Sequence, residues 1–426
     1  MIIINTKIKK LNTACGEITV PGDKSISHRA VMLGALADGV THIKGFLKGA
    51  DCLSTIDCFR NMGIRIDITD DEITVYGNGL HGLKKPEKML YTGNSGTTTR
   101  LLSGILSGQD FDSSVTGDAS ICKRPMGRVT KPLSMMGANI ENEYCPLHIK
   151  GGKLSGIEYT MPVASAQVKT AIILAALYAD GETIIHEPEK SRDHTELMLS
   201  AMGADIKTEG LTICVNKTES LSAQDITVPG DISSAAFFLV LGAVMPESNI
   251  LIKNVGINPT RTGILDVLKD MGADIEIINE RVSGGEPVAD LRVTTSKLHG
   301  TNIGGEIIPR LIDELPVIAA AALFADGTTV ISDAQELKVK ETNRIRAVVD
   351  EFKKCGADIT ETDDGMIING NKPLCGADFK TYGDHRMAMT LAIVAQLCEG
   401  DSTLDDIECA AVSYPTYFDD FYGLGK

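Results

Sequence analysis

The chain has no tryptophan, and aromatic residues make up only 4% of its 426 positions. That leaves no row of ring faces on which bases could stack, and a formal net charge of −16 argues further against binding a nucleic-acid backbone. Long apolar runs are missing too. The longest, AAFFLVLGAVM, is about half of what a membrane span needs. The opening MIIINTKIKK turns polar too soon for a signal-peptide core. The ten cysteines form no C-x-x-C pair, and no His, Cys and carboxylate group has metal-ligand spacing. The expectation is a cytoplasmic protein with reduced thiols, monomeric, with neither nucleic acid nor membrane as partner.

What is there is an ordinary globular composition, 43% hydrophobic and 23% charged, in a chain long enough for two domains of about 200 residues each. Val-Pro-Gly-Asp occurs twice, in VPGDKSISHRA (Val20–Ala30) and VPGDISSAAFF (Val228–Phe238), each time before an apolar run. These are two of six such entries, followed in order by GNSGTTTRLLSGIL, ASAQVKTAIILAAL, IDELPVIAAAALFA and GDHRMAMTLAIVAQL besides the two already quoted; they recur about every 70 residues. Each reads as a helix apolar all round, hence buried. A short strand follows, then an amphipathic helix ending on Gly, as in ILDVLKDMGADIEI, then alternating strands.

Three such units form a domain. The sixth lacks its trailing strands, which IKKLNTACGEITV near the start could supply. This predicts one domain from 1–19 plus 229–426 and another from 20–228. The two Val-Pro-Gly-Asp copies then mark the crossings, where Gly frees and Pro stiffens a pair of hinge strands.

Chemistry in a repeat shows as departures from it. Each buried helix presents unpaired N–H groups at its start, where anions are favoured. At these starts stand Lys24, Ser25 and Arg29; Asn94, Gly96 and Arg100; Ser165, Gln167 and Lys169; Asp313 and Glu314; Asp384, His385 and Arg386. The fourth start, DISSAAFF, is chemically plain. Ser, Asp and Asn also cap helices routinely, but capping does not account for Lys24, Arg29, Arg100 and Arg386 entering apolar helices. ICKRPMGRVTKP adds Arg124, and LKVKETNRIR puts Lys340 and Arg344 on one helix face with Glu341 between them. Asp313 and Glu341 are carboxylates among cations, suited to proton transfer; from the residues alone, Asp313 is equally a helix cap. GNGLHG has the spacing of a dinucleotide loop, but Pro86 follows and no helix opens there. His28 and His385, each before an Arg, read as hydrogen-bonding supports.

The segments PGDKSISHR, GNSGTTTR, KRPMGRV, ASAQVKTA, IPRLIDELP, VKETNRI and YGDHRMAM, in this order across nearly the whole chain, resemble the 5-enolpyruvylshikimate-3-phosphate (EPSP) synthase family. The resemblance implies an α/β (α+β) fold of two domains, each of three βαβαββ units around buried helices, an inside-out barrel-like arrangement that closes on substrate. It implies transfer of the enolpyruvyl group of phosphoenolpyruvate to the 5-hydroxyl of shikimate 3-phosphate, with no metal or organic cofactor. On the same ground Glu341 gives a proton and Asp313 takes one. Lys24, Ser25, Arg29, Ser165, Gln167, Asp313 and Lys340 match shikimate 3-phosphate contacts. Lys24, Gly96, Arg124, Gln167, Arg344 and Arg386 match phosphoenolpyruvate contacts. Two departures stand out: Ala166 replaces a second phosphate-binding Ser, for which Arg192 could compensate, and Val412 replaces a Lys found in some members. The sister family, UDP-N-acetylglucosamine enolpyruvyl transferase, carries a hallmark Cys; Cys122 lies in the corresponding loop but only two residues before Arg124. A non-catalytic anion-binding repeat protein is the alternative of another class.

Overall fold

The computed structural model describes residues 5–283 and 285–425; the first four residues of the opening segment read above lie outside these. The six apolar segments form helices α1 (Lys24–Leu36), α3 (Gly96–Ser107), α5 (Ala166–Ala176), α7 (Ile232–Val244), α9 (Leu315–Leu323) and α11 (His385–Leu397). Their side chains are buried almost throughout; in α7 every residue from Ile232 to Ala243 is. Between them lie the amphipathic helices α2 (Ala50–Asn61), α4 (Gly127–Met135), α6 (His194–Ala201), α8 (Gly263–Asp270) and α10 (Arg344–Lys354), and α12 (Tyr417–Gly423) ends the chain. The Gly that follows each of the first five amphipathic helices has φ between 86° and 99°, a left-handed helix stop that other residues adopt only with strain.

Five of the six buried helices begin on a side-chain cap. Asp23, Ser95, Ser165, Asp231 and Asp384 each accept a hydrogen bond from a backbone N–H of the first turn. The exception is α9, which follows a 3-10 turn (Gly305–Arg310) and has Glu314 at its cap position with no side-chain bond to the helix. The Glu314 side chain is therefore left for other partners.

The strands make six small sheets, and five share one order. In each, a leading strand runs parallel to the strand that follows the buried helix, which pairs antiparallel with the last strand of the unit, which in turn pairs with the one before it. The sixth sheet has three strands, Asp378–Phe379, Thr403–Leu404 and Thr6–Lys7. The N-terminal strands thus do less for it than the sequence suggests. Only Thr6–Lys7 joins it, whereas Cys15–Thr19 lies parallel to Asn249–Lys253 as the leading strand of the fourth sheet. The reason is topological. The residues just before the second Val-Pro-Gly-Asp, Ile226–Thr227, are already paired with Ile43–Lys44 of the first sheet, so the fourth sheet would otherwise keep an open edge.

The described chain divides into two compact units. One comprises Gly22–Val228 with residues 283, 285 and 286; the other holds the residues up to Pro21, Pro229–Val282 and Pro287 onward. Each has its own apolar core. In the first, α1 and α5 pack against α3; in the second, α7, α9 and α11 pack on one another. No described helix is long and apolar enough to cross a membrane.

Candidate active site

In the unit that contains both chain ends, the starts of α9, α10 and α11 bring six charged residues together. Arg344, the first residue of α10 and only 1% exposed, donates to both carboxylate oxygens of Asp384 at 2.8 and 3.1 Å and to Glu341 at 2.7 Å. Its Nη1 is 3.4 Å from Asp313 Oδ1, and Lys340 Nζ is 3.1 Å from the same oxygen. Arg386 donates to the Asp313 backbone carbonyl at 3.1 Å. A guanidinium so deeply buried is tolerable only when paired. Burial opposes the charge on Arg344, but Asp384 and Glu341 outweigh it and hold its pKa above the ordinary value. Burial likewise opposes the charge on Asp384, and Arg344 overcomes it, leaving the carboxyl below its ordinary value.

The shared helix face predicted for Lys340 and Arg344 does not form. Asn343 caps α10 by accepting from the Arg346 N–H, so the helix starts at Arg344, while Lys340 is extended after a 3-10 turn (Gln335–Val339). The two cations meet through Asp313 instead. The start of α7 is also less plain than it reads. Asp231 holds Arg261 at 2.9 Å, Arg261 donates to Ser233 at 2.8 Å, and Ser233 donates to Glu314, which lies 3.7 Å from Arg386. Arg261 and Glu314 are buried; Glu314 was among the residues named at the helix starts, whereas Arg261 was missed. No local signal marks Arg261, whose partners lie about one full helix away along the chain.

In the other unit, the starts of α1, α3 and α5 gather a second set. Arg29 donates through Nε to Thr195 (2.7 Å), through Nη2 to Thr170 (2.8 Å) and through Nη1 to the Ser25 carbonyl (3.0 Å). Arg192 Nη1 lies 3.5 Å from Ser25 Oγ, and Lys24 is ion-paired with Asp51. Gln167 ties α5 to α3, accepting from Arg100 at 2.5 Å and donating to Thr97 at 2.9 Å. A Cβ on Gly96 would stand 2.7 Å from Arg100 Nη1, which would have to shift, and at an ordinary contact distance of 3.5 Å from Arg124 Nη1, so the missing side chain makes room for Arg100 at this helix start. Asn94 Oδ1 beside it is buried without a hydrogen-bond partner. Ser165 caps α5, its Oγ accepting from the Val168 nitrogen at 3.5 Å, which leaves its own O–H as a donor. Lys169 is not a site cation. It is fully buried between Glu187 (2.9 Å) and Glu196 (2.6 Å), and burial raises the Glu196 carboxyl despite that lysine.

His28 is a support, as expected, but a deeply buried one. Burial lowers its pKa to about 3, Asp51 opposing and Lys24 and Arg29 reinforcing the shift. Between pH 6.5 and 3 the unfolded chain therefore binds a proton that the folded chain refuses, so stability falls as pH drops through that window. The slope from this residue is at most about 1.4 kcal/mol per pH unit. Urea midpoints measured from pH 7 to 4 are expected to show that slope, reduced in His28→Asn; equal slopes in the two proteins would refute it.

The sequence profile of EPSP synthase (3-phosphoshikimate 1-carboxyvinyltransferase) matches residues 7–421. The chain belongs to the EPSP synthase family. A Bacillus cereus 3-phosphoshikimate 1-carboxyvinyltransferase is 59% identical over 417 residues, covering 96% of this chain and 97% of the relative. Its Bacillus thuringiensis counterpart is 58% identical over the same span. A solved EPSP synthase from Acinetobacter baumannii superposes with a TM-score of 0.89 at 47% identity, covering 98% of each chain. The enolpyruvyl transferase NikO of Streptomyces tendae, at 18% identity and a TM-score of 0.80 over 99% of this chain and 97% of its own, shares the fold. EPSP synthase membership leaves Cys122 a modest place: it sits in the 3-10 turn Ile121–Lys123, its sulfur 3.8 Å from Thr116 Oγ1.

Proposed function

We propose that this chain transfers the enolpyruvyl group of phosphoenolpyruvate to the 5-hydroxyl of shikimate 3-phosphate and releases phosphate, acting as a monomer in the cytosol on the way to chorismate. We take 1–19 with 229–426 and 20–228 as its two domains. Both substrates are polyanions, which gives an acidic protein a reason to collect cations at helix starts.

Shikimate 3-phosphate is assigned to Lys24, Ser25, Arg29, Ser165, Gln167 and Arg192 in one domain and to Asp313 and Lys340 in the other. Phosphoenolpyruvate is assigned to Lys24, Asn94, Gly96, Arg124 and Gln167, and to Arg344 and Arg386. Arginine suits carboxylate and phosphate through its planar fork. In the reaction Glu341 protonates the methylene carbon of phosphoenolpyruvate, which makes the neighbouring enol carbon electrophilic. The 5-hydroxyl oxygen bonds to that carbon while Asp313 takes its proton. The tetrahedral adduct then expels phosphate as a proton leaves the new methyl group, and the two carboxyl groups reverse roles.

The observation that carries this reading is Asp313. Its carboxylate faces Lys340 at 3.1 Å and Arg344 at 3.4 Å, which supports a chemical role beyond capping. The test is phosphate release with each candidate acceptor. Turnover is expected with shikimate 3-phosphate and none with UDP-N-acetylglucosamine, and Cys122→Ser is expected to keep most activity. Turnover with the sugar nucleotide alone, or a folded but dead Cys122→Ser protein, would replace this function with that of the sister family.

A further inference from the structure

In the Gly22–Val228 unit, four fully buried side chains form a line of short hydrogen bonds: His28 on α1, Thr55 on α2, Thr98 on α3 and Ser95 at the α3 cap. His28 Nδ1 is 2.7 Å from Thr55 Oγ1, Thr55 Oγ1 is 2.7 Å from Thr98 Oγ1, and Thr98 Oγ1 is 2.7 Å from Ser95 Oγ. We propose that His28 is a positioning residue. As the neutral Nδ1–H tautomer it heads a one-way chain of hydrogen bonds that fixes the Ser95 hydroxyl, and with it the Asn94–Gly96 segment assigned above to phosphoenolpyruvate.

The direction follows from counting protons. Ser95 Oγ accepts from the Thr98 N–H at 3.1 Å and from the Thr98 hydroxyl. The Thr98 proton is then spent, so Thr98 accepts from Thr55. The only other acceptor near the Thr55 hydroxyl is the Asp51 carbonyl at 3.5 Å, too long to compete with 2.7 Å. Thr55 in turn accepts from His28 Nδ1–H. The opposite polarity would place a hydrogen on His28 Nε2, which is buried with no partner; an orphaned buried N–H is costlier than an idle lone pair. With both lone pairs of Ser95 occupied, its own O–H is left to be donated onward. The charged groups around the ring are Asp23 and Asp51, Lys24 and Arg29. The four make two pairs of opposite sign, which leaves burial to keep the imidazole neutral.

The ligand named here rests on the proposed function; the tautomer does not, and it is read without turnover. Long-range 1H–15N correlation on the full chain labelled at histidine is expected to show the His28 ring with a protonated Nδ1 and a bare Nε2, unchanged between pH 5 and 8. That ring is assigned by its loss in His28→Asn and so told apart from His194, whose Nδ1 faces Glu286. A ring at His28 that is Nε2–H, or that titrates in this window, overturns the proposal. The kinetic arm uses Thr55→Val, which breaks the chain at constant volume, and Thr55→Ser, which preserves the hydroxyl. Thr55→Val is expected to raise the KM for phosphoenolpyruvate roughly 5- to 100-fold, more than it lowers kcat, with Thr55→Ser restoring it to within about threefold. An unchanged KM in folded Thr55→Val overturns the positioning role. Failure of the parent to turn over would count against the function above and leave the tautomer measurement standing.

Discussion

Asp313→Asn and Glu341→Gln are each expected to cut turnover by on the order of 10²–10⁴ with the fold intact. Both substitutions keep size and hydrogen-bonding capacity and remove only the ability to exchange a proton. If Asp313 worked only as a cap, Asn would replace it at little cost; its carboxylate also faces Lys340 and Arg344, so the variant separates capping from charge. Glu341 accepts from Arg344 at 2.7 Å, a bond that Gln can still accept, so loss of rate there would not trace to loss of the ion pair's geometry. The Michaelis constants need not rise in parallel, because the missing interaction belongs to the transition state. Single-turnover phosphate release at saturating substrates, with circular dichroism as the fold control, decides the matter. Folded variants with near-parental rates would remove both residues from the chemistry.

Arg344→Leu is expected to lower stability by about 3–5 kcal/mol, since removing one partner of a buried pair strands the other. The stranded group is Asp384, whose side chain is fully buried and whose ion pair among the described residues is with Arg344, His385 being a lesser influence on its charge. The pH dependence supplies a sharper mark. In the parent, Arg344 holds the Asp384 pKa below the unfolded value, so this group's contribution is present above that unfolded value and lost as pH falls through the folded one. In Arg344→Leu, burial without a cation pushes the carboxyl the other way, and stability is lost as pH rises above the ordinary carboxylate range. The variant should therefore lie closer to the parent at pH 4 than at pH 7 in urea denaturation. A deficit that is the same at both pH values would mean that Asp384 finds another partner.

Features that depend on neighbours along the chain were readable in it. The all-apolar helices, the Gly that stops each amphipathic helix and the caps at Asp23, Ser95 and Asp384 follow from residues within one turn of each other. Features that depend on distant partners were not. Lys340 and Arg344 read as one helix face, because nothing local shows that Asn343 will cap first; Arg261 joins Glu314 through Ser233, which lies 28 residues before Arg261. Lys169 read as a site cation because Glu187 and Glu196, which neutralise it, come from the next strand and helix. The family segments supplied the rest, because they record long-range partnerships that periodicity cannot.

The pairing of Cys15–Thr19 with Asn249–Lys253 has a consequence for how the chain is made. As synthesis proceeds towards the C-terminus, the strand at residues 15–19 lacks this partner until residues 249–253 have been made. The Gly22–Val228 unit, by contrast, has nearly all its pieces once Val228 appears, including Ile226–Thr227 for the edge of its first sheet. Domains fold as units, earlier ones first, and contacts between distant residues form slowly. The continuous unit thus matures first, while residues 15–19 wait unpaired on the nascent chain, open to chaperones and proteases, until the other unit is made.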